Sequence, residues 1–239
     1  KDVVTDEDGQ ATFTVGSEAT GYLVAQSGDD VYALMNPSDY IRKVAGKPVE
    51  TLGLTIRSQA DNAYLQSMDK ELEVASNTAE KYGFTDKVEG VSALDALVVS
   101  HELTFGDDFT PETAKDFLEV SSSGFITKLY GTETYVCGFY VNAGYPNDGT
   151  KAPSGPGYNG TTVVNTKLND GDTVDFFFYA DKDAYSDYYT WIDVPETMVT
   201  GEAITVTVKG FYAMEGYRYK DAAELKAAAR PLEGVGLAW

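Results

Sequence analysis

The stretch Leu168-Asn-Asp-Gly-Asp-Thr-Val-Asp-Phe-Phe-Phe-Tyr179 decides how the middle of this 239-residue chain folds. Its Asn-Asp-Gly sequence favours a tight turn, because these residues tolerate the backbone angles that such turns require. After the turn, Val174, Phe176 and Phe178 occupy alternate positions and therefore one face of a strand. We expect a strand over 173–179 with these three side chains facing inward.

The chain before this strand carries helix signals. Ser92 followed by Asp95 is a capping pattern, since both side chains can bond to amide groups left free in the first helical turn. Behind the cap, four apolar residues follow helical spacing and form one face: Ala93, Leu94, Leu97 and Val98. Thr110-Pro111 predicts a second helix start, because proline is favoured at the first helical position. With strands expected over 125–130 and 135–141, the region is α+β.

Both ends of the chain carry strand patterns. Ala11, Phe13 and Val15 alternate with polar residues after an Asp-Gly turn, and residues 203–208 repeat that alternation. A short, capped helix is predicted over 221–230 because alanine is frequent there and proline follows. We place three segments along the chain: an all-β segment 1–46, an α+β domain 47–198 and a second β segment 199–239.

The composition excludes several classes of function. The chain holds 18 basic and 38 acidic residues, which gives a net charge of −20 at pH 7. Such a surface repels phosphate backbones and anionic lipids, so neither nucleic acid nor direct membrane insertion is expected. No run approaches the roughly 18 to 20 apolar residues that span a bilayer. The charge suits cations or neutral ligands.

Few residues are available for catalysis or metal binding. The single cysteine, Cys137, lies inside a strand pattern and the single histidine, His101, lies near the end of a predicted helix. We interpret both as structural, and we expect neither an enzyme nor a bound cofactor. Asp181, Asp183 and Asp187 have the alternate spacing of a calcium loop, but the turn glycine and the closing glutamate of an EF-hand are missing. The alternative is a solvated acidic loop.

Aromatic residues beside flexible loops are the best candidates for binding. The glycine- and proline-rich segment 142–160 is longer than most loops within a domain, and such loops are usually functional or disordered. Loop aromatics supply rigid contact area, so a small molecule or a glycan is the expected ligand. The candidates are Tyr145, Tyr158, Tyr185, Tyr188, Tyr189 and Trp191. The alternative is that about half of them cover the core of the sheet. We expect the loop 144–160 to border the most concave part of the surface.

The middle region resembles transcobalamin C-terminal-like domains, which are β-grasp-related modules of exported bacterial proteins and vertebrate cobalamin carriers. The resemblance covers about residues 50–192. It is carried by four motifs in order: Ser92-Ala-Leu-Asp-Ala-Leu-Val98, Gly124-Phe-Ile-Thr-Lys-Leu-Tyr-Gly131, Gly138-Phe-Tyr-Val-Asn142 and the 168–179 stretch. In the vertebrate carriers this domain covers the corrin ring against an all-α barrel, which nothing in this sequence could supply. Corrinoid binding is therefore a secondary alternative.

The flanks resemble bacterial Ig-like domains of the carboxypeptidase-regulatory type. Residues 5–13 are similar to the later half of such a domain and residues 230–239 to the first half. If they are complementary halves of one sandwich, the two terminal segments should pack together within the chain. The resemblance implies a multi-domain array on a cell surface, with further domains in the same polypeptide.

These observations predict a non-enzymatic, extracellular module of a bacterial surface or secreted protein that captures a ligand or mediates adhesion. A spacer that only presents other domains is the alternative. A carboxylate-based hydrolase is a third hypothesis, weakened by the missing nucleophile. The expected core consists of Leu94, Leu97, Val136, Phe139, Val141, Val174, Phe176 and Phe178.

Overall fold

The computed structural model describes residues 2–14, 23–27, 30–35, 54–57, 66–68, 73–133, 137–179, 187–193 and 203–238. Its sheets are mostly antiparallel and its helices are few, so the expected α+β class is confirmed at that level. The helices are α1 (Ala93–Phe105), α2 (Ala114–Phe117) and α3 (Ala222–Ala228), with 3₁₀ turns at Ala79–Tyr82, Gly106–Asp108 and Ala213–Arg218.

The strands are β1 (Asp2–Val4), β2 (Gln10–Thr14), β3 (Leu23–Ser27), β4 (Asp30–Met35), β5 (Leu54–Arg57), β6 (Gln66–Met68), β7 (Glu119–Val120), β8 (Ile126–Leu129), β9 (Thr132–Glu133), β10 (Cys137–Val141), β11 (Asn147–Lys151), β12 (Tyr158–Gly160), β13 (Val174–Phe178), β14 (Tyr188–Asp193), β15 (Ala203–Tyr212), β16 (Arg230–Pro231) and β17 (Gly236–Ala238).

The central sheet has the order β10-β13-β5-β6. Its outer pairs are antiparallel and its middle pair, β13 with β5, is parallel. The predicted strand over 173–179 is confirmed as β13, and Phe176 lies opposite Phe139 of β10. Two antiparallel strand pairs, β5 with β6 and β10 with β13, are thus joined side by side.

Helix α1 begins at the predicted cap. The Ser92 hydroxyl accepts the Asp95 amide at 3.0 Å, and the Asp95 carboxylate accepts the Ser92 amide at 2.9 Å. The same carboxylate also accepts the Ala79 amide at 2.8 Å, so the cap ties two segments together. Residues 93–101 are buried all round rather than along one stripe, because segment 163–168 also covers the helix.

One face of the central sheet and α1 share a hydrophobic core. Leu94, Leu97, Val174 and Phe176 are buried there, as expected. Phe139 and Val141 are only partly buried but pack against the same cluster, as does Cys137. The remaining expected core positions, Val136 and the side chain of Phe178, lie outside the described part of the chain.

The opposite face of the central sheet packs on a second sheet of β14, β15 and β16, in which β2 also pairs with β15. Tyr140 of β10 and Phe211 of β15 belong to the aromatic cluster between these two layers. Strand β14 lies before the expected boundary at residue 199 and pairs with β15 after it. The second sheet therefore includes strands from all three expected segments.

The two termini pack together, as predicted. Strand β17 lies between β1 and β3 in a sheet of order β1-β17-β3-β4, with Val3 opposite Leu237. Pairing with β17 covers an edge that β1 would otherwise expose.

Two local expectations need correction. The helix predicted at Thr110-Pro111 is only the four-residue α2, since residues 111–113 form a turn held by Thr110 and Thr113. The segment 142–160 is not a plain loop but contains the hairpin β11–β12. A local turn supports it, because the Asn147 side chain accepts the Gly149 amide at 2.9 Å and Gly149 has a φ of 78°.

Candidate functional site

A cleft of about 270 Å³ lies beside strand β10. Three short segments line it, residues 124–126, 137–139 and 161–163, together with Tyr145, Pro146, Tyr179 and Met214. None of these lining side chains carries a formal charge at pH 7, and most of the lining atoms are apolar. The cleft therefore suits a neutral, apolar group.

The rim of the cleft carries two exposed apolar side chains. Phe125 is 66% exposed and Met214 is 49% exposed, although both are large and hydrophobic. Phe125 follows a tight turn in which Gly124 has a φ of 87°, and a Cβ there would lie 2.2 Å from the Thr162 hydroxyl. Gly124 thus allows the Phe125 segment to lie directly against the 161–163 wall.

Strand β10 supplies the thiol in the lining of the cleft. The Cys137 Sγ lies 3.8 Å from the Ile126 carbonyl oxygen. Burial raises the pKa of the Cys137 thiol to about 12, which keeps it protonated near neutral pH. A nucleophilic cysteine requires a lowered pKa, so this thiol behaves as an apolar wall atom.

The polar side chains of segment 161–163, which forms one wall of the cleft, make hydrogen bonds within the protein. The Thr161 and Thr166 hydroxyl oxygens are 2.6 Å apart, and the Thr162 hydroxyl donates to the Asn165 side-chain oxygen at 3.0 Å. The same Asn165 oxygen accepts the Thr162 amide. These contacts leave the apolar parts of the wall to define what the cleft can bind.

His101 has a structural role away from this cleft. The Leu97 carbonyl accepts from Nδ1 at 2.7 Å, and Nε2 accepts the Tyr130 amide at 3.2 Å. Burial lowers the pKa of His101 to about 4, although the Leu97 carbonyl favours the protonated form. Both ring nitrogens are occupied, so the imidazole is not poised as a base for a substrate.

Of the six aromatic candidates, Tyr145 lines the cleft, next to Pro146. Burial raises the pKa of its hydroxyl, and its ring packs edge-on against Tyr140 with the centroids 6.2 Å apart. Tyr158 lies on β12, outside the cleft lining, where the Lys151 ammonium sits 3.6 Å from its ring centre. The segment 144–160 therefore borders this cleft through Tyr145 and not through Tyr158.

Three of the remaining candidates lie on strand β14. The Tyr188 and Tyr212 rings are tilted by 38° with their centroids 4.6 Å apart, and the Arg230 guanidinium lies 5.0 Å from each ring. Tyr189 is buried in the aromatic cluster and its hydroxyl donates to Asp175, while Trp191 is half-buried and donates to Asp193 at 2.9 Å. Tyr185 lies outside the described residues. Of the described candidates, Tyr188, Tyr189 and Trp191 lie outside the cleft lining.

Sequence reasoning missed Phe125 and Met214. We expected Phe125 inside a strand, but β8 begins one residue later, at Ile126, and leaves the ring exposed. The signal available was the Ser-Ser-Ser-Gly run before Phe125, which predicts a turn. Met214 stands alone after a long strand and carries no such signal.

Within the described ranges, no group of three or more His, Cys, Asp or Glu side chains is arranged to hold a metal ion. Of the three aspartates considered for calcium, only Asp187 is described, and its backbone carbonyl accepts the Ala213 amide at 2.9 Å. Asp181 and Asp183 lie outside the described residues. None of the helices described has the length and apolar character needed to cross a membrane.

No protein-family model, curated protein or solved structure matches this chain.

Proposed function

We propose that this chain is a non-enzymatic binding module of an extracellular bacterial surface or secreted protein, and that it captures its ligand through a neutral, apolar group that enters the cleft beside β10. The observation that carries the proposal is the pair of exposed apolar side chains, Phe125 and Met214, at the rim of an uncharged cleft. Large exposed apolar side chains around a concavity are typical of binding sites, because water solvates them poorly.

We further propose that the middle of the chain is a β-grasp domain of the transcobalamin C-terminal-like type. In a β-grasp domain, two hairpins flank a helix, and the first and last strands pair in parallel at the centre. The order β6-β5-β13-β10, its parallel central pair and the packing of α1 on one face support this assignment. Ig-like halves at the termini are supported by the pairing of β1 with β17 and of β2 with β15.

A corrinoid fits the cleft less well than a small apolar ligand does. Pockets that bury drug-sized molecules usually measure about 300–1,000 Å³. The cleft beside β10, at about 270 Å³, fits a ligand or a side chain smaller than a corrin ring. A glycan is also less suited, because sugars need polar partners and the polar side chains of the wall at Thr161 and Thr162 bond within the protein.

An uncharged fluorescent hydrophobic dye, Nile red, tests the cleft directly. We expect native protein to enhance its fluorescence, and Phe125→Ser or Met214→Ser to reduce that enhancement severalfold. Leu103→Ser is the matched control, since Leu103 is 51% exposed on α1 and outside the cleft lining. Aquocobalamin and a glycan panel serve as comparison ligands.

The spacer hypothesis makes the opposite prediction. If the chain only presents other domains, neither dye nor comparison ligand should bind the native fold, and the Phe125 variant should behave like the Leu103 control. Binding of aquocobalamin that is unaffected by Phe125→Ser would instead favour a corrinoid site elsewhere in the chain.

A further inference from the structure

Strand β10 is an edge of the central sheet. It pairs with β13 on one side, and on the other side the only described residue whose backbone bonds to the backbone of β10 is Gly144, which exchanges two hydrogen bonds with Val141. The edge from Cys137 to Phe139 therefore has no backbone partner among the described residues. This stretch also lines the cleft.

The register of the β10–β13 pair determines which backbone groups face outward. The Asn142 amide donates to the Thr173 carbonyl at 2.8 Å, so Asn142 occupies a hydrogen-bonded position of the ladder. Such positions alternate in antiparallel pairs. Tyr140 and Gly138 consequently bond to β13, whereas the N–H and C=O groups of Phe139 and Cys137 point away from it, on the free side of the strand.

We infer that the cleft receives an extended peptide segment of another polypeptide, which adds to the sheet as a strand along Cys137–Phe139 and places a large apolar side chain between Phe125 and Met214. This inference rests on the proposed function and names the class of its ligand. Strand addition of this kind combines backbone hydrogen bonds, which supply affinity, with a pocket for a side chain, which supplies specificity.

The backbone geometry favours a peptide over a small apolar molecule. An apolar molecule could fill the 270 Å³ cleft but would leave the outward groups of Phe139 without partners when it displaced water. A buried donor or acceptor without a partner costs about 1–3 kcal/mol, whereas an added strand supplies both a donor and an acceptor at the right spacing.

The charge of this chain indicates which charged residues the peptide should carry. The lining of the cleft is uncharged, and the chain as a whole carries a net charge of −20. An acidic segment would be repelled, while lysine or arginine residues flanking the apolar side chain would favour association. The expected occupant therefore has a central aromatic or large aliphatic residue, alternating β-branched neighbours and basic ends.

The test uses a peptide probe, Lys-Thr-Val-Phe-Val-Thr-Lys, acetylated and amidated at its ends, with binding measured by calorimetry on the full chain. Two further versions carry N-methyl groups on the backbone, one at odd and one at even positions, so each lacks the donors along one edge. Strand addition requires that one version binds like the parent and the other at least tenfold more weakly. Phe125→Ser should weaken the parent peptide about tenfold, and Leu103→Ser should not.

Amide hydrogen exchange provides a second readout. In the free protein, the amides of Cys137 and Phe139 should exchange faster than those of Gly138 and Tyr140, because only the latter two bond to β13. The bound peptide should slow exchange at Cys137 and Phe139 at least tenfold. The dye Nile red, which has no peptide backbone, should not slow it.

The outcomes separate the inference from the proposed function. If the dye binds in a Phe125-dependent way but both N-methylated peptides bind like the parent, or no peptide binds, strand addition is wrong while the apolar cleft remains the binding site. If neither dye nor peptide binds, the proposed function fails and the inference fails with it.

Discussion

Thr5 and Val235, 230 residues apart, are joined by a reciprocal pair of hydrogen bonds. The Thr5 amide donates to the Val235 carbonyl at 2.9 Å, and the Val235 amide donates to the Thr5 hydroxyl oxygen at 2.8 Å. The Thr5 hydroxyl in turn donates to the Leu232 carbonyl at 2.8 Å. One buried side chain thus holds the beginning of the chain to its last strands.

Replacing Thr5 by valine should lower the free energy of unfolding by about 1–3 kcal/mol, because the buried Val235 amide loses its acceptor. The shape of the side chain is preserved, so packing is little changed. Urea denaturation measures the effect. Thr12→Val is the matched control, since the hydroxyl of Thr12 bonds to that of Thr205 on an exposed face, and it should change stability by less than about 0.5 kcal/mol. Equal effects of the two substitutions would contradict the proposed role of Thr5.

Deleting residues 230–239 should accelerate amide exchange in the first segment of the chain. The deletion removes β17, which lies between β1 and β3, so the amides around Val24 and Ala25 lose a neighbouring strand. Amides of α1, such as that of Leu97, provide the internal control because they lie in a separate core. Unchanged exchange in β3 with intact protection in α1 would show that the termini do not support each other.

The pH dependence of stability should include a contribution from His101. Its pKa falls from 6.5 in the unfolded chain to about 4 in the native protein. Protonation therefore favours unfolding. The contribution of neutral His101 to the free energy of unfolding is fully present above pH 6.5 and is lost as the pH falls toward 4. The shift corresponds to about 3 kcal/mol.

His101→Gln is the variant that isolates this contribution from the many carboxylates, because its amide can keep the neutral hydrogen-bonding role. The variant should be less stable than the native chain at pH 7, but its stability should fall less between pH 6.5 and pH 4. Chemical denaturation at several pH values measures the difference. Identical pH profiles for the two proteins would rule out the titration of His101.

Cys137 should react slowly with a thiol reagent in the native protein. Since burial raises the pKa of its thiol from 9.0 to about 12, the thiolate fraction at pH 8 falls on the order of a thousandfold. Reaction with 5,5′-dithiobis-(2-nitrobenzoate) in native buffer and in 6 M guanidinium chloride compares the two states. A native rate close to the denatured rate would place the thiol in solvent and would also contradict the assigned register of β10.

Several parts of the fold were predictable because local rules decide them. The Ser92–Asp95 cap depends on side chains three positions apart, and the alternation of Val174 and Phe176 determines which face of β13 is apolar. Even the pairing of the termini could be anticipated, since an isolated amphipathic strand requires a partner. The resemblance of the middle region to a known family remains a hypothesis.

The tertiary structure decided the candidate site. The cleft is built from segments 124–126, 137–139 and 161–163, and no periodicity within a segment indicates what will lie opposite it. Residue type alone does not separate the buried Tyr189 from Tyr145 in the cleft, because aromatic side chains serve both cores and binding surfaces. Local sequence thus determined the elements and their apolar faces. Which faces became covered, and which edge of β10 has no strand partner among the described residues, depended on long-range packing that only the folded chain specifies.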